Sequence, residues 1–132
     1  MLNDRLANML STIKNAYAIS KPSVEMAHSK QMEEVAKVLE KAGFLKNVKV
    51  FKESGVSFKK LHLDLTYDNG MAKISNIVRV SKPGRRVYKN YSDLKPVVGG
   101  FGISVVSTSR GIMSDSDAKK RKLGGEVICT AW

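Results

Sequence analysis

The stretch Ser107-Thr108-Ser109-Arg110-Gly111 sets three hydroxyls in a row ahead of a cation and a glycine. Short, uncharged donors and acceptors of this kind approach a shallow polar surface closely, where bulky side chains would stand off. Gly111 lets the backbone approach as well, and Arg110 supplies charge. The chemistry such a run suits is contact with base edges, 2′-hydroxyls and phosphates on the wide minor groove of A-form RNA. A turn that satisfies its own hydrogen bonds uses the same residue types, and both readings stay open on the residues alone.

Two further clusters carry charge. In Ser81-Lys82-Pro83-Gly84-Arg85-Arg86-Val87-Tyr88-Lys89, a Pro-Gly turn brings Lys82, Arg85, Arg86 and Lys89 near an aromatic ring. Guanidinium forks match phosphate geometry and a tyrosine ring stacks on a base or ribose. The alternative is a solvated turn with Tyr88 half-buried. The run Lys119–Lys122 closes a short helical segment, where cations complement the helix dipole and keep the surface soluble.

Catalytic chemistry has little to work with. There is no Gly-x-Ser-x-Gly elbow, no glycine loop ending in Gly-Lys-Ser/Thr, and the glycines of 99–102 lack the third spacing of a dinucleotide loop. A nucleophilic serine needs a positioned base, and the two histidines, His28 and His62, read as polar surface, His62 on an exposed strand face. Cys129 is the single cysteine, which excludes an internal disulfide and fits a reducing compartment; alternating with Val127 and Ala131, it reads as a small buried hydrophobe. No catalytic residue, metal site or cofactor is expected.

The chain of 132 residues carries a net charge of +11, a field that favours polyanions. Residues 1–68 hold 11 Lys+Arg against 8 Asp+Glu, and residues 69–132 hold 12 against 4, so the attraction concentrates where the hydroxyl run lies. Two rival classes remain to be weighed: an enzyme cradling a phosphate at 107–111, and a membrane-surface protein. The first helix offers only Arg5 and Lys14 as cations, too few for a basic membrane-binding face. No signal-like or membrane-spanning stretch is present, so a cytoplasmic protein is expected.

The elements that must position these residues follow from periodicity. Leu2, Leu6, Met9, Leu10, Ile13 and Tyr17 make one face of a helix. A second helix is expected over 30–42, with Ser29 as N-cap, Met32, Val35, Ala36 and Leu39 as its buried stripe, and Gly43 as its stop. Strands are expected over 47–52 and 61–67, the latter alternating Leu61, Leu63, Leu65 and Tyr67 against His62, Asp64 and Thr66 before the Asp68-Asn69-Gly70 turn. The second half is read as mostly β: strand pattern to about Val80, a strand over 85–89, a helical turn over 92–98, a strand over 103–107, a turn into Ile112-Met113, a short helix from Ser114 and a last strand over 124–132. The expected fold class is α/β of the α+β kind in two small lobes. Residues 1–70 form a helix-strand-helix-strand-strand lobe, and 71–132 form a mostly-β RNA-binding lobe with short helices.

Three motifs together resemble one family. Ser107–Asp115 followed by Gly124–Cys129 is similar to the Ser-Thr-Ser-x-Gly signature and Gly-Gly-Glu strand of the eighth protein of the small ribosomal subunit. The stretch 80–88 resembles that family's Ser-Lys-Pro-Gly-x-Arg-Val-Tyr turn, and 9–16 its first helix. The likeness covers essentially the whole chain. It departs at Arg5, where the family usually has proline, at Ser104, where a small apolar residue is common, and at Thr130, in place of a frequent tyrosine.

The resemblance implies a two-lobed α/β protein that binds 16S ribosomal RNA at a bulged helix of the central domain. It implies a primary binder that helps assembly, meets neighbouring small-subunit proteins, and represses translation of its own operon mRNA. It assigns Ser107, Thr108, Ser109 and Gly111 to the RNA minor groove and Tyr88 to the same helix. Glu126 would order the binding loops or accept an RNA hydrogen bond, and Lys30 with the first helix would meet a second stretch of RNA. Arg110, Lys82, Arg85 and Arg86 would be the electrostatic anchors. The expected setting is the ribosome, with no membrane partner.

Overall fold

A computed structural model describes residues 5–132, which form two compact units, 5–74 and 75–132. Leu2, placed by the sequence reading on the face of the first helix, lies outside the described residues.

The N-terminal unit begins with α1 (Arg5–Ala18), which buries Leu6, Met9, Leu10, Ile13, Ala16 and Tyr17 on one stripe. Strand β1 (Ser23–Ala27) follows, then α2 (Lys30–Lys41). Helix α2 starts where Ser29, in extended conformation, accepts the Met32 N–H at 3.2 Å, and it ends before Gly43 at φ 88°. Its buried stripe is Met32, Val35, Ala36 and Leu39, as its spacing requires. Strands β2 (Leu45–Phe51) and β3 (Lys60–Leu65) pair antiparallel, and β1 pairs the other edge of β3, giving the order β1-β3-β2. Leu61, Leu63 and Leu65 are buried. A small hairpin, β4 (Tyr67–Asp68) and β5 (Met71–Ala72), turns through Asn69 and Gly70 at φ 52° and 79°. Two residues at positive φ make the tight turn whose twist suits a hairpin. Tyr17 stitches this end of the unit: its hydroxyl donates to the Phe44 carbonyl at 2.5 Å and accepts the Thr66 N–H at 3.0 Å.

The C-terminal unit contains β6 (Ile77–Arg79), β7 (Tyr88–Lys89), β8 (Ile103–Thr108), β9 (Gly111–Ser114), α3 (Asp115–Lys120) and β10 (Gly125–Ala131). Its sheet has the order β6-β10-β8-β9, with β7 also paired to β10. Leu94, Val106, Met113, Ala118 and Val127 pack as a core cluster, which sets α3 against one face. The architecture is α+β, with antiparallel pairing throughout.

Three details differ from the sequence reading. The strand over 85–89 shrinks to Tyr88–Lys89, because Arg85 closes a tight turn with Lys82. The helical turn over 92–98 is instead two short 3-10 turns, Tyr91–Asp93 and Val98–Gly100. Pro96 lies between them, and it biases the residue before it towards extended backbone. His62 is not a free surface histidine. Its side chain is 23% exposed, and its two ring nitrogens lie 2.9 Å from Glu25 and 2.9 Å from Asp64.

Two predictions follow from these groups. Hydrogen bonds from Glu25 first, then Asp64, raise the His62 pKa above its ordinary 6.5. Only the imidazolium donates to both carboxylates at once, so its stabilisation is fully present below 6.5 and fades as pH rises through the raised value. Urea unfolding of wild type and His62→Gln will show a larger difference below about pH 6 than above about pH 8. Burial pushes the Cys129 thiol up to about 12, with the Arg79 guanidinium opposing it. Thiol reagents at neutral pH will therefore modify Cys129 only as the chain unfolds.

Candidate nucleic-acid interface

Strand β10 builds the site by pairing on both edges. Glu126 stands opposite Tyr88 of β7 on one side and Ser107 of β8 on the other, and Ser107 in turn stands opposite Ile112 of β9. Directly opposed residues of an antiparallel sheet share a face, so Tyr88, Glu126, Ser107 and Ile112 form one row across four strands. The next row along, Val127, Val106 and Met113, belongs to the core on the other face. Alternation thus turns the first row away from the core cluster.

Two glycines make this register possible. A Cβ on Gly125 would collide with the Ser107 carbonyl oxygen, and one on Gly124 would stand 2.6 Å from the Lys89 carbonyl oxygen. Both are backbone atoms that hold strand pairing, so neither clash has a flexible group to yield. Sequence reading noted these glycines only as a motif; the contacts that require them are long-range.

The hydroxyl run closes the β8–β9 hairpin, and its members divide in role. Thr108 opposes Gly111, leaving Ser109 and Arg110 as a two-residue loop. The Thr108 hydroxyl donates to the Gly111 carbonyl at 2.7 Å and accepts the Arg110 N–H at 3.1 Å, so it locks the turn. Gly111 sits at φ 112°, a conformation that only glycine adopts without strain. Ser109 and Arg110 are exposed, Ser107 is half-buried on the outward row, and among the described residues no side-chain hydrogen bond engages the Ser107 or Ser109 hydroxyl. The turn reading is thus realised by the Thr108 hydroxyl, while the other two hydroxyls lie outside the turn's hydrogen bonds.

The basic turn is equally tight. Lys82 and Arg85 exchange two backbone hydrogen bonds of 2.9 Å around Pro83-Gly84. Lys82 and Arg85 are exposed, and Tyr88 is 70% exposed rather than half-buried. Arg86 donates to Glu126 at 3.1 Å, with side chains 46% and 17% exposed, so one expected anchor is tied to the acid of the central row. Among the described residues Lys82, Arg85 and Arg110 form no ion pair. Lys30 belongs to the N-terminal unit, exposed at the first residue of α2, and is not part of this cluster.

One residue the sequence reading passed over is Ser81, which is fully buried and accepts the Val87 N–H at 2.8 Å. A serine before Lys-Pro-Gly carries no sign of burial, because its role depends on strands far away in sequence. For the glycines, Gly125→Ala will destabilise the chain by about 1–3 kcal/mol, the usual cost of forcing an extra group into a filled site. Chemical denaturation checks this, with Gly84→Ala, where a Cβ meets nothing within 4 Å, as the mild comparison.

The chain as a whole is similar to known proteins. A family model for ribosomal protein S8 matches residues 4–132. Small ribosomal subunit protein uS8 of Hydrogenovibrio crunogenus is 45% identical over 97% of this chain and 96% of its own length. The protein of the same name from Nautilia profundicola is 43% identical over the whole of both chains. Small ribosomal subunit protein uS8c of Welwitschia mirabilis is 38% identical over 98% of this chain and 99% of its own. With the family model covering nearly every residue and relatives matching end to end, this chain belongs to the ribosomal protein S8 family.

Proposed function

We propose that this structural protein of the small ribosomal subunit binds 16S ribosomal RNA directly, through the outward row of its C-terminal sheet. The observation that carries the reading is the alignment of Tyr88, Glu126 and Ser107 on one row turned away from the core cluster, next to the Ser109–Arg110 loop. A stacking ring, an acceptor and a small hydroxyl at strand spacing suit the shallow groove of an RNA helix. Lys82, Arg85 and Arg110 are exposed on the turns that adjoin Tyr88 and Ser107 in sequence and form no ion pair among the described residues; such charge attracts phosphates without choosing among sequences.

The RNA is a bulged helix of the 16S central domain, where a bulge opens base edges that a regular duplex hides. The protein joins that domain early and helps it assemble in the cytoplasm, beside neighbouring small-subunit proteins. The same surface recognises a matching fold in its own operon mRNA and so represses translation. Ser107, Ser109, Gly111 and Tyr88 contact the groove, Thr108 holds the loop, and Glu126 accepts from the RNA while steering Arg86. Lys30 and α1 meet a second stretch of RNA. No step calls for a metal, a cofactor or a catalytic residue.

Binding to a bulged hairpin copied from the central domain, and to a paired duplex of equal length, tests this at two salt concentrations. Preference for the hairpin that survives the higher salt is expected; equal binding that collapses with salt would reduce the site to net charge. Ser107→Ala and Ser109→Ala should each weaken hairpin binding by about 1 kcal/mol, the scale of one hydrogen bond. Arg85→Gln should instead weaken both RNAs and lower the salt slope by about one unit.

A further inference from the structure

Strands β6 and β7 lie one after the other along the same edge of β10. Strand β6 pairs with Cys129–Ala131 and β7 with Gly125–Glu126. Between them the chain leaves that edge, makes the basic turn, and returns. The register of β10 against β8 shifts between Val127 and Cys129, so the excursion departs beside a bulge.

Ser81 stands at the mouth of this excursion. Its backbone N–H is already committed to β10, at 3.1 Å from the Val127 carbonyl and 3.3 Å from that of Ile128. Across the mouth, the Val87 carbonyl accepts the Val127 N–H at 2.9 Å. The Val87 N–H therefore points away from β10, and it is met by the Ser81 hydroxyl at 2.8 Å. The same oxygen lies 3.5 Å from the Val87 carbonyl, to which it donates. One side-chain oxygen replaces the backbone rung that an ordinary hairpin would use here.

We infer that Ser81 is a positioning residue for RNA recognition, setting the direction in which the basic turn presents Arg85, Arg86 and Tyr88; this rests on the RNA-binding reading above. Arg86 is held from both sides, by the Lys82–Arg85 rung before it and the Ser81–Val87 clamp after it. Tyr88 follows the clamp directly and takes its register opposite Glu126 from it. Loss of the hydroxyl leaves a part-buried N–H without its partner and frees the mouth of the turn, while β6, β8 and β9 keep their own ladders. The charge of the turn is unchanged, so the damage falls on placement and not on attraction.

The test uses the full-length chain with Ser81→Ala, the bulged hairpin and the paired duplex. Val106→Ala serves as a destabilised core control outside the interface. At a temperature where every variant is folded, Ser81→Ala should bind the hairpin about fivefold more weakly and the duplex as wild type does. Val106→Ala should keep the hairpin preference. Amide exchange at Val87 should quicken in Ser81→Ala alone. Undiminished hairpin binding, or an equal fall on both RNAs, would overturn the inference. If Ser81→Ala does not fold, Ser81→Cys, which keeps a weaker acceptor of similar size, should show the same selective loss in smaller degree; no loss there overturns it. If wild type shows no hairpin preference, the proposed RNA reading falls separately. The positioning role is then judged by Val87 exchange and the Arg86 side-chain NMR signal, and their constancy in the variant would overturn it.

Discussion

Strand β10 can lie against β8 only because Gly125 has no side chain where the Ser107 carbonyl oxygen stands. That single close approach fixes which residues oppose one another, since a one-residue slip would turn every side chain to the other face. From it follows the row of Tyr88, Glu126, Ser107 and Ile112, and behind it the core row of Val127, Val106 and Met113. Gly124 extends the constraint by letting the chain before β10 pass the Lys89 carbonyl. Beyond Val127 a bulge shifts the register by one residue, so that Cys129 stands opposite Val105, and both are buried. Fold and candidate interface in this unit are consequences of the same register.

On the proposed function, attraction and recognition come from different groups. The net charge of +11 acts at a distance and falls away with salt. The central row contributes almost none of it: its one ionised member, Glu126, has the wrong sign for a phosphate. Paired to Arg86, that carboxylate orients a guanidinium while keeping an acceptor at the centre of a basic surface. An acid placed there is costly for non-specific binding, so it favours only RNA shapes that offer it a donor. On the proposed reading, the cations at the edge bring RNA close and the row at the centre discriminates among what arrives.

In the N-terminal unit the two helices and most of β3 were legible, whereas β1 was expected in the lobe without residues assigned to it and the strand over 61–67 ends at Leu65. The stripe of α2, its Ser29 cap and the Leu61-Leu63-Leu65 face of β3 all follow from spacing of 3.6 or 2, which is local information. The Asn69-Gly70 turn is legible for the same reason, since only certain residues take positive φ. His62 was read less well. Its exposed-looking position on β3 hides Glu25, which comes from β1 and is 37 residues away. In the C-terminal unit, the turns and the hydroxyl loop could be named from residue type. The division of labour within the loop could not, because it depends on where the Thr108 hydroxyl points.

The sequence by itself determined the α+β class, the main helices and strands, the excess of charge in the second half and the motifs that carry the family likeness. Each of these is set by residue type and short-range spacing. Tertiary structure alone decided that Tyr88 stands free and Arg86 is tied to Glu126. It also decided that Ser81 is buried and that a side chain at Gly125 would meet the Ser107 carbonyl. These depend on strands brought together from 18 to 47 residues apart, and which atoms meet across a sheet is fixed by register, which no local pattern contains.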